Sequence, residues 1–164
     1  RLTLCDGLDY GNLPQTNIAD MAQENVGQSC RAYIPAGITH YRALWVDRKR
    51  NFPTATWPGG YAADGPWDRE RLFRHYGAWA ALAQNYNMGV HCGEGGCFNQ
   101  TPHDVTLHWM EDVLDALKTY NIGLALWNFR GGFGILDSGR KDCAYEDWRG
   151  HKLDRQMLEV LQAH

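Results

Sequence analysis

Met88-Gly89-Val90-His91-Cys92-Gly93-Glu94-Gly95-Gly96 is the stretch on which the fold turns. Residues 88–93 make a compact apolar strand, and the chain then meets a carboxylate and two glycines, so Glu94 is expected where a strand stops. Just upstream, residues 68–86 place Leu72, Tyr76, Trp79, Leu82 and Ala83 at three- and four-residue spacing. That stripe predicts an amphipathic helix, with Asp64 or Asp68 as its N-cap. Residues 102–120 repeat the pattern through Val105, Leu107, Trp109, Val113, Leu114 and Leu117, and residues 122–127 read as another strand running into Arg130-Gly131-Gly132-Phe133-Gly134.

Working outward, residues 2–5 form a first strand closed by Asp6-Gly7, and a polar helical segment follows around Ile18 to Ala22. Residues 29–34 form a second strand closed by Pro35, a long irregular connection runs from Thr39 to Pro66, and a last helix covers residues 153–163. Four successive β-then-α units favour an α/β fold with parallel strands and outer helices, because parallel neighbours require a crossover connection. No repeat or low-complexity segment divides residues 1–164, which read as a single domain.

Composition narrows the partners. With 44% hydrophobic residues and 12% aromatics in 164 positions, disorder is excluded, and no apolar run approaches the roughly 18 residues of a membrane span. Sixteen basic against nineteen acidic residues leave a net charge of −3, which argues against a phosphate-binding surface and hence against nucleic acid. Seven Trp and eight Tyr supply flat faces that either fill a core or stack on sugar rings. Cys5, Cys30, Cys92, Cys97 and Cys143 are an odd number and leave the redox compartment open. The chain starts at Arg1 without an initiator Met or an apolar leader, so either a leader was removed or upstream sequence is absent.

In a parallel sheet the C-terminal strand ends share one rim, which should gather Asp6, Tyr33, Glu94 and Trp127. Glu94 is the sharpest candidate for chemistry, since glycines on either side let a substrate approach. Tyr33 is placed to donate a phenolic hydrogen bond to Glu94 and so fix its rotamer. Trp127 offers an aromatic floor beside the carboxylate, and the long loop adds Thr39, His40, Trp45 and Trp57, groups that hydrogen-bond or stack on a polyhydroxylated ligand. His91, Cys92, Glu94 and Cys97 are metal-ligating types, but alternation sends His91 and Cys92 to opposite faces and no paired C-x-x-C exists, so no metal and no cofactor are expected. A phosphate loop, a G-x-S-x-G elbow and H-E-x-x-H are all absent from the sequence.

The segment from Gly89 to Gly96, followed one helix later by Leu126-Trp127-Asn128-Phe129-Arg130-Gly131-Gly132-Phe133-Gly134-Ile135-Leu136-Asp137-Ser138, resembles the end of family 5 glycoside hydrolases, the cellulase-type clan. Tyr33-Ile34-Pro35, Ile38-Thr39-His40 and Trp57-Pro58 resemble that family's sixth-strand region. The resemblance implies the C-terminal half, strands five to eight, of a TIM (β/α)8 barrel, and a retaining β-glycosidase acting on β-linked glucan-like polysaccharide. It implies Glu94 as nucleophile with Tyr33 supporting it, and Trp127, His40, Trp57 and Asn128 as substrate-binding residues. The family's His two positions before the tyrosine is Arg31 here, and its Asn-Glu acid/base pair has no counterpart upstream of Tyr33.

A closed barrel takes about 250 residues, so four units amount to half of one, with an inward face and two edges needing cover. The expected partner is a second copy forming a homodimer, or a missing N-terminal half, with the acid/base supplied from outside the four units. The competing readings are a carbohydrate-binding half-barrel without turnover and a structural fragment of a larger hydrolase. A polymeric substrate would place the protein outside the cytoplasm, secreted or periplasmic.

Overall fold

The computed structural model describes residues 1–46, 48, 52–60 and 65–164. In chain order the elements are β1 (Thr3–Asp6), α1 (Leu8–Gly11), a 3-10 helix (Ala19–Glu24), β2 (Val26–Ala32), α2 (Ala36–Thr39), α3 (Arg69–Tyr86), β3 (Val90–Gly95), α4 (His103–Thr119), β4 (Gly123–Leu126), β5 (Tyr145–Trp148), β6 (His151–Asp154) and α5 (Arg155–Ala163). Strands β1 to β4 form one sheet in sequence order, every pair parallel. This is the expected α/β half-barrel arrangement, with β1 and β4 as its two edges.

Strand alternation separates two faces. Cys30, Ala32 and Cys92 point into the main apolar core, where they meet Leu72, Tyr76 and Trp79 of α3 and Trp109, Met110, Val113 and Leu117 of α4. Trp79 and Trp109 are fully buried, and Trp109 also donates its indole N–H to the Ile34 carbonyl at 3.0 Å, so this large side chain ties α4 to the end of β2. The opposite face carries Ser29, Arg31 and His91, the side chains that a Cβ at Gly93 would meet. That face is the concave side of a barrel that four strands leave open.

The α3 stripe arises as the spacing predicted, and Asp68 caps the helix by accepting the Arg71 N–H at 2.8 Å. The alternative cap, Asp64, lies outside the described residues. The first helical segment is a 3-10 turn, Ala19–Glu24, closed by Asn25 in the left-handed region. Strand β2 starts at Val26, three residues earlier than the apolar pattern indicates, because pairing with Thr3 and Leu4 of β1 recruits Val26 and Gly27. Strand β3 runs to Gly95, so Glu94 sits within its last turn of pleat.

One element was not expected. Strands β5 and β6 form an antiparallel hairpin, Trp148 opposite His151, around Arg149 and Gly150, both with positive φ. Two consecutive positive-φ residues are the geometry of a two-residue hairpin turn, whose twist matches the strands. The final helix therefore starts at Arg155 rather than at residue 153. Asp154 ends β6 and caps α5, accepting the Met157 N–H at 3.0 Å.

Candidate active site

Glu94 and Tyr33 approach each other from neighbouring strands. Arg31 of β2 is in register with Glu94 of β3, so Tyr33, two residues on, projects from the same face over the carboxylate. The Tyr33 phenol donates to Glu94 Oε2 at 3.2 Å. Burial and then the neighbouring carboxylate hold the Tyr33 hydroxyl above its ordinary pKa, so it remains a proton donor across the neutral range. Among the described residues Glu94 enters no ion pair, and its side chain is only partly buried.

The glycines beside Glu94 serve the sheet. A Cβ at Gly95 would stand 2.5 Å from Ala32 Cβ, and one at Gly96, where φ is +152°, would stand 2.8 Å from the Trp127 carbonyl. They let three strand ends converge, which brings Trp127 to the rim beside β3, its N–H donating to the Gly95 carbonyl at 2.8 Å. Trp127 is 49% exposed, and its bond to Asn128 is cis. Asn128 is half-buried, with Oδ1 unpaired among the described residues.

His40 joins Tyr33 edge to face at a ring separation of 5.0 Å. Thr39 donates its hydroxyl proton to the Tyr33 carbonyl at 2.8 Å, so its oxygen accepts from His40 Nδ1 at 3.0 Å. That assignment leaves Nε2 of a neutral imidazole as an acceptor, in keeping with burial lowering the His40 pKa. Phe133, Phe98 and Trp45 extend the ring cluster, with Phe133 5.6 Å from His40 and Trp45 4.6 Å from Phe98. Trp45 is 59% exposed and Phe129 62% exposed, an unusual solvent share for large apolar side chains. The sequence did not single out Phe98, and Phe133 entered only as part of the glycine-rich stretch; each stands within three residues of a glycine pair after a strand.

The other predicted residues lie elsewhere. Trp57 donates its indole N–H to Asp112 on α4 at 2.8 Å, and Arg69 of α3 bonds the same carboxylate at 2.6 Å. Its ring thus stands against the helix layer rather than in the Tyr33 cluster. Asp6 is paired with Arg31 at 2.6 Å, and Arg31 also donates to Ser29 at 2.6 Å. Arg31, in the position where a His was expected, is therefore held along the concave face by Asp6. Of the earlier metal-type set, Cys92 is buried in the core, its thiol pushed up chiefly by a hydrogen bond to Cys30 and by burial, while His91 lies on the other face.

No family model matches the chain. Endoglucanase C of Acetivibrio thermocellus is 23% identical over 150 aligned residues, which span 79% of this chain and 44% of the relative. A solved structure described as a glycoside hydrolase is 39% identical, with a TM-score of 0.88 over 98% of this chain and 48% of its own. The chain resembles one half of the barrel of a cellulase-like glycoside hydrolase. An endoglucanase of Thermotoga maritima, solved with mannotriose, shares the fold at 19% identity and a TM-score of 0.72, again over 48% of its length. The chain thus spans about half the length of the curated relatives it matches.

Proposed function

We propose that this family 5 half-barrel, residues 1–164 as one unit, supplies Glu94 as nucleophile of a retaining glycoside hydrolase acting on β-linked glucan-like polysaccharide or oligosaccharide. The carrying observation is a partly exposed strand-end carboxylate, free of ion pairs among the described residues, oriented by Tyr33 beside an exposed Trp127. With Oε2 engaged by Tyr33, Oε1 attacks the anomeric carbon while a second carboxyl, about 5 to 5.5 Å away, protonates the departing glycosidic oxygen. Water then attacks the glycosyl ester, giving its proton to that second carboxyl and releasing Glu94. Trp127 provides the stacking face, His40 Nε2 accepts a sugar hydroxyl, and the Asn128 amide lies next to Trp127 to hydrogen-bond the ring substituents. Trp57, engaged by Asp112, takes no part in this reading.

The second carboxyl and the cover for the concave face come from an N-terminal barrel half. The relatives are about twice as long as this chain, and a groove of about 330 Å³ lined by Ile122, Leu124, Leu126 and Leu161 runs beside the free edge of β4. An exposed parallel edge is an unfinished ladder, and closure of a barrel removes it. A polymeric glucan substrate places the protein outside the cytoplasm; no described helix is long and apolar enough to cross a membrane.

The test is hydrolysis of a fluorogenic cellobioside by the barrel assembled from this chain and an N-terminal half, wild type against Glu94→Gln. The proposal expects release that depends on Glu94 and a product of retained anomeric configuration by NMR. Unimpaired turnover by Glu94→Gln, or an inverted product, defeats it. Saturable sugar binding without any turnover would identify a carbohydrate-binding module instead.

A further inference from the structure

We propose that His103, Cys143 and Asp154 bind a zinc ion where the β5–β6 hairpin meets the start of α4. Among the described residues these three side chains bring one imidazole nitrogen, one sulfur and one carboxylate oxygen within 4.8 Å of each other. They come from three segments. His103 is the first residue of α4, Cys143 precedes β5, and Asp154 is the last residue of β6 and the N-cap of α5. His103 and Asp154 are 6% and 1% exposed, whereas Cys143 is only partly buried, so an ion has a route in from the Cys143 side.

The donor set selects the metal. A thiolate and an imidazole favour zinc over magnesium or calcium, which prefer all-oxygen shells. Zn²⁺ with one thiolate and one carboxylate is a neutral set, so the nearby buried Arg140 faces a site without net positive charge. Asp154 is already oriented for the task. Its Oδ1 accepts the Met157 N–H at 3.0 Å, and Oδ2 faces the His103 ring. His103 is aligned by its own backbone N–H, which donates to Asp142 Oδ2 at 2.8 Å.

Without metal, His103 Nε2 lies 2.8 Å from Asp154 Oδ2 and the Cys143 thiol also bonds Asp154. Two ligands of a tetrahedral zinc stand roughly 3.3 Å apart, so entry of the ion requires an opening of roughly 0.5 Å. The two hydrogen bonds to Asp154 are exchanged for three bonds to zinc. The thiol proton leaves to solvent, and the His103 ring gives up its Nε2 proton to solvent while Nδ1 takes one up, so it binds as the neutral Nδ1–H tautomer. A water completes the fourth position on the exposed side. The ion would staple the hairpin and α5 to α4.

The test uses the whole chain, made without a histidine tag and without chelator. After equilibration with zinc and dialysis, one zinc per chain by mass spectrometry is expected, with a rise in thermal midpoint. Cobalt substitution is expected to give a thiolate charge-transfer band in the near ultraviolet and visible bands of a tetrahedral site. Cys143→Ser, which keeps a hydroxyl for Asp154, removes the charge-transfer band and weakens zinc binding by more than about tenfold, while Cys5→Ser changes neither. Circular dichroism checks that both variants fold. Failure of the wild-type chain to retain zinc, or a charge-transfer band that survives in Cys143→Ser, overturns the proposal whatever the variants' stability. None of these readouts depends on glycoside hydrolysis.

Discussion

Tyr33 and Glu94, 61 positions apart in sequence, meet across the β2–β3 seam, with the phenol donating to Glu94 Oε2 at 3.2 Å. The contact exists because Arg31 and Glu94 are register partners and a side chain two residues beyond Arg31 returns to the same face. A hydrogen bond to a charged acceptor contributes about 1.5 to 3 kcal/mol. If the carboxylate is the nucleophile of an assembled hydrolase, Tyr33→Phe should lower kcat roughly ten- to a hundredfold with KM little changed. Glu94→Gln should lower it by about three orders of magnitude or more. Equal losses in the two variants would mean that Tyr33 does more than orient.

His75 makes stability pH-dependent. Its ring packs edge to face on Trp67 and Tyr76 at 5.7 and 4.9 Å, and burial followed by the Arg71 charge lowers its pKa to about 4. The unfolded chain, with an ordinary pKa near 6.5, binds the proton first, so stability falls as pH drops from about 6.5 to about 4, by up to about 3 kcal/mol. Urea denaturation of the chain at pH 7 and pH 4.5 measures the drop, and His75→Phe should flatten it. An unchanged slope in that variant would refute the assignment to His75.

Asp137 couples the loop after β4 to the hairpin and should do so far into the acid range. The Lys152 N–H, His151 and Arg130 all reach its carboxylate, and together they hold its pKa at about 2. A depressed carboxylate pKa contributes stability that is complete above about 4 and lost as pH falls through 2. Hydrogen exchange at pH 4 should find the Lys152 amide protected in the wild type and markedly faster in Asp137→Asn.

Asp68→Ala should cost about 1 kcal/mol by removing the acceptor for the Arg71 N–H at the start of α3. Denaturant midpoints read the loss directly. Asp68→Asn, which retains an acceptor oxygen, should recover most of it.

How much of this was readable beforehand differs from element to element. The α3 and α4 stripes were legible because three- and four-residue spacing of Leu72, Tyr76, Trp79, Trp109 and Val113 is a local property, and one buried face is all it demands. The hairpin was not. Tyr145-Glu146-Asp147-Trp148 has no apolar alternation, and its pairing rests on the positive-φ turn at Arg149 and Gly150 and on Asp137, which holds the Lys152 N–H. Trp57 had the composition of a sugar-stacking residue, and only the approach of Asp112 from α4 sent it to the helix layer.

By itself, the sequence determined the order of strands and helices, the parallel sense of the sheet and the arrival of Glu94 at a strand end, since each follows from periodicity and chain connectivity over short distances. Tertiary structure alone decided which side chains share a neighbourhood: Phe133 and Phe98 with His40, Arg31 with Asp6, and His103 with Cys143 and Asp154. Those meetings depend on inter-strand register and on where loops fold back, quantities fixed by packing among distant segments and not encoded in any local stretch.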